Sequence, residues 1–240
     1  GTPHLFGYLS DHGDTIGEHG VFGKKTFFEK SVKIPLLLAG TGVAAGRRWD
    51  EPVSILDVGP TVCAWAGAET PERADGQSLA SILRGEDGPR GRAVLSESMD
   101  KGPDGRWTYG CMARRGTYKF ITYHGYESQN MLFDVAADPL EQNNLAAARP
   151  GMCEEFRWLL RQATDPAAAE ALQAQHTKRA RVLAAFEKQT GYDDRERYRD
   201  YPEEAKRPPE VCVTSLVGGP GKEQSSVYHG LPLRPQEGKA

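Results

Sequence analysis

The chain has 240 residues, 30 Lys and Arg against 33 Asp and Glu, a formal net charge of −3 and 38% hydrophobic residues. That length can bury a sizeable core as one large domain or two small ones. The charge balance gives no electrostatic case for a nucleic-acid partner, and no stretch approaches the ~20 apolar residues of a membrane-spanning helix.

Phe6 to Leu9 reads as the end of a strand that brings Asp11 and His12 to its C-terminal edge, where open α/β sheets place their ligands. Ile34 to Ala39 is a second apolar run of strand length, and Thr41 to Pro52 has no period and reads as loop. Ser54 can cap a helix from Ile55 to about Ala66, with Asp57 in its first turn and Gly67 closing it. Ser78 can open a short helix ending at Gly85. From about Gly91 the pattern changes to strands, Ala93–Glu97, Tyr109–Arg114, Thr117–Tyr123 and Asn130–Val135, separated by polar or Gly-rich turns, which predicts an antiparallel sheet. Met152–Ala163 and Ala167–Lys188 have helical content. From Tyr192 the chain is charged and then rich in Pro and Gly, which predicts a tail without a packed core of its own. The cysteines Cys63, Cys111, Cys153 and Cys212 include no Cys-x-x-Cys pair, which excludes zinc-finger spacing and favours buried free thiols.

The chemistry concentrates in Ser10-Asp11-His12-Gly13-Asp14-Thr15-Ile16-Gly17-Glu18-His19-Gly20 and the following Gly23-Lys24-Lys25-Thr26-Phe27-Phe28-Glu29. A carboxylate and an imidazole stand side by side, a second His and a Lys follow, and the interspersed glycines let backbone approach an anion closely. Metal ligands, a cation and close backbone at a strand end describe a site for a small, highly charged oxyanion. On a regular strand Asp11 and His12 would face opposite ways, but at a turn both can bend toward one ion. The alternative is a turn Asp bonding its own backbone beside a surface His. Lys24 is read either as an anion-binding ammonium or as an exposed loop cation, Lys25 as solvated, and Glu18 and Glu29 as structural partners of the loop. His19 fits two readings equally: contact with substrate or protonation of a leaving group, or a bond that fixes the glycine loop. His124, at the end of a strand, is read as an exposed strand-end His.

This run resembles the C-terminal half of sulfatases of the alkaline phosphatase superfamily, with its Ser-Asp-His-Gly turn, Gly-Glu-His-Gly segment and Gly-Lys-x-Thr-x-x-Glu frame. Val53-Ser54-Ile55-Leu56-Asp57-Val58-Gly59-Pro60-Thr61 resembles the family's next helix. Gly116–Ile121 and Leu132–Leu145 resemble its closing strands, so that the resemblance covers roughly the first 145 residues in the family's order.

The resemblance implies an α/β fold. Residues 1–90 would form the C-terminal part of an alkaline-phosphatase-like mixed sheet flanked by helices, 91–165 a small antiparallel-sheet subdomain, and 166–240 a helix and polar tail. It implies Asp11 and His12 as metal ligands, Lys24 as the lysine that bridges a sulfate oxygen and the nucleophile, and His124 at the mouth of the pocket. The ion is expected to be Ca²⁺, with Mg²⁺ or Mn²⁺ in relatives; a His nitrogen is a softer donor than Ca²⁺ prefers, which keeps Mn²⁺ open. The expected reaction is hydrolysis of a small-molecule sulfate ester through a formylglycine, with a phosphodiester or phosphonate monoester as the alternative and a non-catalytic anion-binding chain as a third reading. The formylglycine motif and two acidic ligands are expected to precede Asp11, so that the chain by itself is expected to be inactive. Cys111-Met112-Ala113-Arg114-Arg115 imitates the Cys-x-Ala-x-Arg form of that motif but lies after the metal turn and within a strand, and it is rejected. No membrane partner is expected, the polar tail leaves a homo-oligomer open, and the compartment is open between cytoplasm and periplasm.

Overall fold

A computed structural model describes residues 2–102, 105–190, 211–214 and 225–228. The chain divides into two compact units, one of Gly1–Asp14 with Lys24–Gln173, the other of Thr15–Gly23 with Ala174–Ala240.

In the first unit, β1 (Leu5–Leu9) and β4 (Leu36–Gly40) pair antiparallel, with Leu5 opposite Gly40 and Leu9 opposite Leu36. Both are the apolar runs that the sequence marks as strands. Between them lies α1 (Glu29–Val32), a single turn. After an irregular stretch, a 3₁₀ turn at Ile55–Asp57 leads into α2 (Val58–Ala66), which ends at Gly67 with a left-handed φ of 70°. The predicted cap forms: the Ser54 hydroxyl accepts the Leu56 N–H, and the Asp57 carboxylate accepts the Ser54 N–H at 2.8 Å. Asp57 is fully buried, accepts the Gln77 N–H at 2.8 Å and pairs through both oxygens with Arg92. It thereby fastens the helix start to the segment entering α3 (Ala80–Leu83) and to the threshold of the next sheet.

That sheet is a meander of β5 (Ala93–Lys101), β6 (Trp107–Arg115), β7 (Tyr118–Tyr123) and β8 (Met131–Asp134), each strand antiparallel to its neighbour in chain order. Alternation along the strands supplies two apolar faces. Cys111, Ala113, Phe120 and Leu132 pack against Cys153, Phe156 and Leu160 of α4 (Pro150–Ala163), whose spacing puts the three on one helical stripe. Met112, Ile121, Phe133 and Val135 pack on the other face against Phe27. Each fully buried Phe or Leu here is worth about 1.5–3 kcal/mol relative to exposure.

Phe27 brings charge with it. Lys119, on the Ile121 face of β7, has no exposed side-chain surface; its ammonium donates to the Phe27 carbonyl at 2.8 Å and pairs with Glu29 at 3.1 Å and with Glu141. Arg114 of β6 holds the other oxygen of Glu29 at 2.9 Å, and the Glu29 N–H donates to Glu141 at 2.6 Å. Glu141 takes a left-handed φ of 54°, costing a residue with a side chain about 1–2 kcal/mol. Two cations and two carboxylates thus neutralise one another where α1 meets the sheet. The 25-residue α5 (Pro166–Thr190) follows. No helix among the described residues is long and apolar enough to cross a membrane.

In the second unit, β2 (Thr15–Ile16) and β3 (Phe22–Gly23) pair antiparallel around a 3₁₀ turn at Glu18–Gly20, and β9 (Val211–Thr214) pairs antiparallel with β10 (Ser225–Tyr228). Apart from β9 and β10, the predicted tail from Tyr192 lies outside the described residues.

Candidate active site

Asp11, His12 and Gly13 leave β1 in a tight turn, with the Ser10 hydroxyl donating to the His12 carbonyl at 2.6 Å. The His12 Nδ1 lies 2.7 Å from the Gly13 carbonyl oxygen. A carbonyl only accepts, so the proton sits on Nδ1 and the Nε2 lone pair is left for another partner. Asp11 Oδ2 is 3.3 Å from that Nε2, while Oδ1 accepts the His12 N–H at 3.0 Å. Lys24 Nζ, arriving from beyond the second unit's excursion, donates to the same Nε2 at 2.6 Å. Carboxylate, imidazole and ammonium therefore meet around one nitrogen. Partial loss of water pushes the Asp11 carboxyl up, but the His12 N–H, its own N–H and the positive charge of Lys24 together hold it below its usual range.

Gly13 is required there. A Cβ on it would lie 2.1 Å from the Lys30 carbonyl oxygen, and its N–H donates to the Ser31 carbonyl at 2.7 Å. Ser31, which is 2% exposed, also donates its hydroxyl to the Lys24 carbonyl at 2.6 Å. The sequence offers no sign of this role, because a polar residue in one short helical turn carries no pattern. Lys119 and Glu141 went equally unsuspected as partners of Glu29. The one available sign was a Lys among the mostly apolar and aromatic residues of the strand Tyr118–Tyr123.

The other predicted site residues lie elsewhere. His19 is in the second unit, in the Glu18–Gly20 turn, with a left-handed φ of 54°. His124 follows β7, its backbone N–H bonded to the Tyr109 carbonyl and its Nδ1 2.7 Å from Glu170 of α5. Lys25 makes an ion pair of 3.1 Å with Asp100 of β5, so it is tied down at the surface. Cys111 lies mid-strand in β6, opposite Glu97 and Thr122, and is buried. Among the described residues, Cys63, Cys111 and Cys153 are free thiols, and no group of three or more His, Cys, Asp or Glu side chains is placed to hold a metal ion. Asp11 and His12 are the two potential donor side chains that this turn brings together.

Comparison with known proteins extends this local picture along the chain. Residues 17–162 match the family model described as N-sulphoglucosamine sulphohydrolase, C-terminal. A choline-sulfatase of Rhizobium meliloti (strain 1021) is 38% identical over 142 residues, which are 58% of this chain and 26% of that protein. A solved 2-O GAG sulfatase superposes with a TM-score of 0.59 at 31% identity, covering 66% of this chain and 35% of its own. The phosphonate monoester hydrolase of Agrobacterium radiobacter shares the fold, with a TM-score of 0.55 at 24% identity over 72% of this chain and 35% of its own. The chain thus spans about a quarter to a third of the length of these relatives. Its helices and antiparallel sheets are those of an alkaline-phosphatase-like neighbourhood, and the chain belongs to the N-sulphoglucosamine sulphohydrolase C-terminal family, the C-terminal portion of sulfatases.

Proposed function

We propose that this chain contributes the metal-binding turn and the oxyanion-binding lysine to the hydrolysis of a small-molecule sulfate ester. The observation that carries the reading is the convergence of Asp11 Oδ2 and Lys24 Nζ on His12 Nε2, at 3.3 and 2.6 Å. Asp11 and His12 would hold a divalent cation, Ca²⁺ first, with Mg²⁺ and Mn²⁺ as alternatives, together with donors outside the described residues. When bound, the cation would polarise the ester oxygens as a Lewis acid. Lys24 neutralises charge on the nonbridging oxygens of a tetrahedral anion, and its ammonium stabilises the leaving oxyanion. His19 is the candidate proton donor to the departing alcohol, on the ground of its Gly-Glu-His-Gly setting. His124, oriented by Glu170, is the candidate substrate contact.

The nucleophile lies outside these residues. The one Cys-x-Ala-x-Arg stretch puts Cys111 in a buried strand, out of reach of a substrate. A formylglycine supplied by another segment fits the family, and the 240-residue chain alone is expected to turn over little or no p-nitrophenyl sulfate.

The test is calorimetric titration of the chain with calcium chloride, manganese chloride, sodium sulfate and sodium phosphate. Asp11→Asn is expected to weaken cation binding about tenfold, the scale of one charged ligand contact. Lys24→Ala is expected to weaken sulfate by a similar factor. Robust turnover by the chain alone, or cation binding untouched by Asp11→Asn, would overturn the proposal. Tighter binding of phosphate than of sulfate would move the reading to phosphate or phosphonate esters.

A further inference from the structure

The geometry points to Ser31 as the positioning residue that sets Lys24 against the Asp11–His12 turn, an inference that rests on the anion-binding role proposed for Lys24. Asp14 and Lys24 bracket the nine residues that belong to the second unit, so the two halves of the site are not adjacent along the first unit's chain. Something in the first unit has to fix their separation. Ser31 touches both: its carbonyl accepts the Gly13 N–H at 2.7 Å, and its hydroxyl donates to the Lys24 carbonyl at 2.6 Å.

Three features make this contact specific. A helical serine ordinarily returns its hydroxyl to the carbonyl four residues back; Ser31 instead reaches the carbonyl seven residues back, outside its own turn. The residue is 2% exposed, so water does not substitute easily for either bond. The turn that carries it is itself fastened, through Glu29, to Lys119 and Arg114 of the sheet. The two bonds also differ in kind. The link to Gly13 runs backbone to backbone and survives any side-chain change, whereas the link to Lys24 depends on the hydroxyl alone. A lysine side chain is a long lever, so a small rotation of the Lys24 backbone displaces its ammonium by about an ångström, a misplacement of the size that costs enzymes heavily.

Removing the hydroxyl should therefore loosen the anion-binding arm and spare the cation-binding turn. The experiment titrates the 240-residue chain, wild type, Ser31→Ala and Ser31→Thr, with sodium sulfate and separately with calcium chloride, alongside thermal melts. The expected result is sulfate affinity about fivefold weaker in Ser31→Ala, the worth of one hydrogen bond, with calcium affinity within about twofold of wild type. Ser31→Thr, which keeps the hydroxyl, should recover sulfate binding. Unchanged sulfate affinity in Ser31→Ala overturns the inference. So does a parallel loss of sulfate, calcium and melting temperature, which would mark Ser31 as packing only. A wild-type chain that binds neither salt removes the site itself, a pattern distinct from both.

Discussion

Cys111 pairs across β6 with Glu97 and Thr122, and burial together with the charge of Glu97 pushes its thiol up to about 12. A thiol so shifted is almost wholly protonated at neutral pH and is a poor nucleophile. Cys153, buried against the sheet by α4, is shifted upward mainly by the same loss of water. Cys63, on the partly exposed side of α2, lacks that shelter. N-ethylmaleimide applied to the native chain at neutral pH should therefore modify Cys63 well before Cys111 or Cys153, as read by peptide mass spectrometry. Modification of Cys111 at the rate of Cys63 would contradict the buried strand position. His12 makes the opposite case: a partly exposed side chain whose tautomer is dictated by one backbone carbonyl, leaving the lone pair of its second nitrogen to accept from Lys24.

At the scale of elements, α1 has too few residues to be stable as an isolated helix. It holds because Glu29 is seized by Lys119 and Arg114, and because Phe27 just before it enters the Met112–Ile121–Phe133 face. Burial pushes the Glu29 carboxyl up, but Lys119 and then Arg114 pull harder and leave it below the ordinary glutamate value of 4.5. A carboxylate held low stabilises the fold above its unfolded pKa, and that stability is lost as pH falls through the lowered folded value. Glu29→Gln should cost about 3–5 kcal/mol at neutral pH, because it leaves Lys119 short of a charge in a buried place. The gap in melting temperature between variant and wild type should narrow on acidification below 4.5, where the wild-type glutamate also becomes neutral. A gap that stays constant from neutral pH into that acid range would show that the ion cluster is not what Glu29 contributes.

For the molecule as a whole, the β1–β4 sheet presents Phe6, Tyr8 and Leu37 at 61%, 56% and 61% exposure. In the register Tyr8 lies opposite Leu37, so these side chains share one face. A contiguous apolar face of this kind favours association. Size-exclusion chromatography with light scattering should find mass rising with concentration for the wild-type chain and less so for a Phe6→Ser, Leu37→Ser double variant. A monodisperse monomer at every concentration would count against that reading.

Much was legible in the linear order of residues. Strands β1 and β4, the Ser54 cap with Gly67 at the other end, the meander and the helices α4 and α5 all follow from periodicity and capping, which are local signals. So is the family, carried by motifs spaced along one chain. What local signals do not contain is which distant groups share a low-dielectric space. Glu29, Arg114, Lys119 and Glu141 lie up to 112 residues apart, and only the packing of α1 on the sheet joins them into one neutral cluster. Lys24 meets His12 in the same way, across the excursion of residues 15–23, because Ser31 binds both approaches. Pattern selects residue types by their neighbours in sequence; a charge is tolerated in the interior only by its neighbours in space, and those the tertiary structure alone decides.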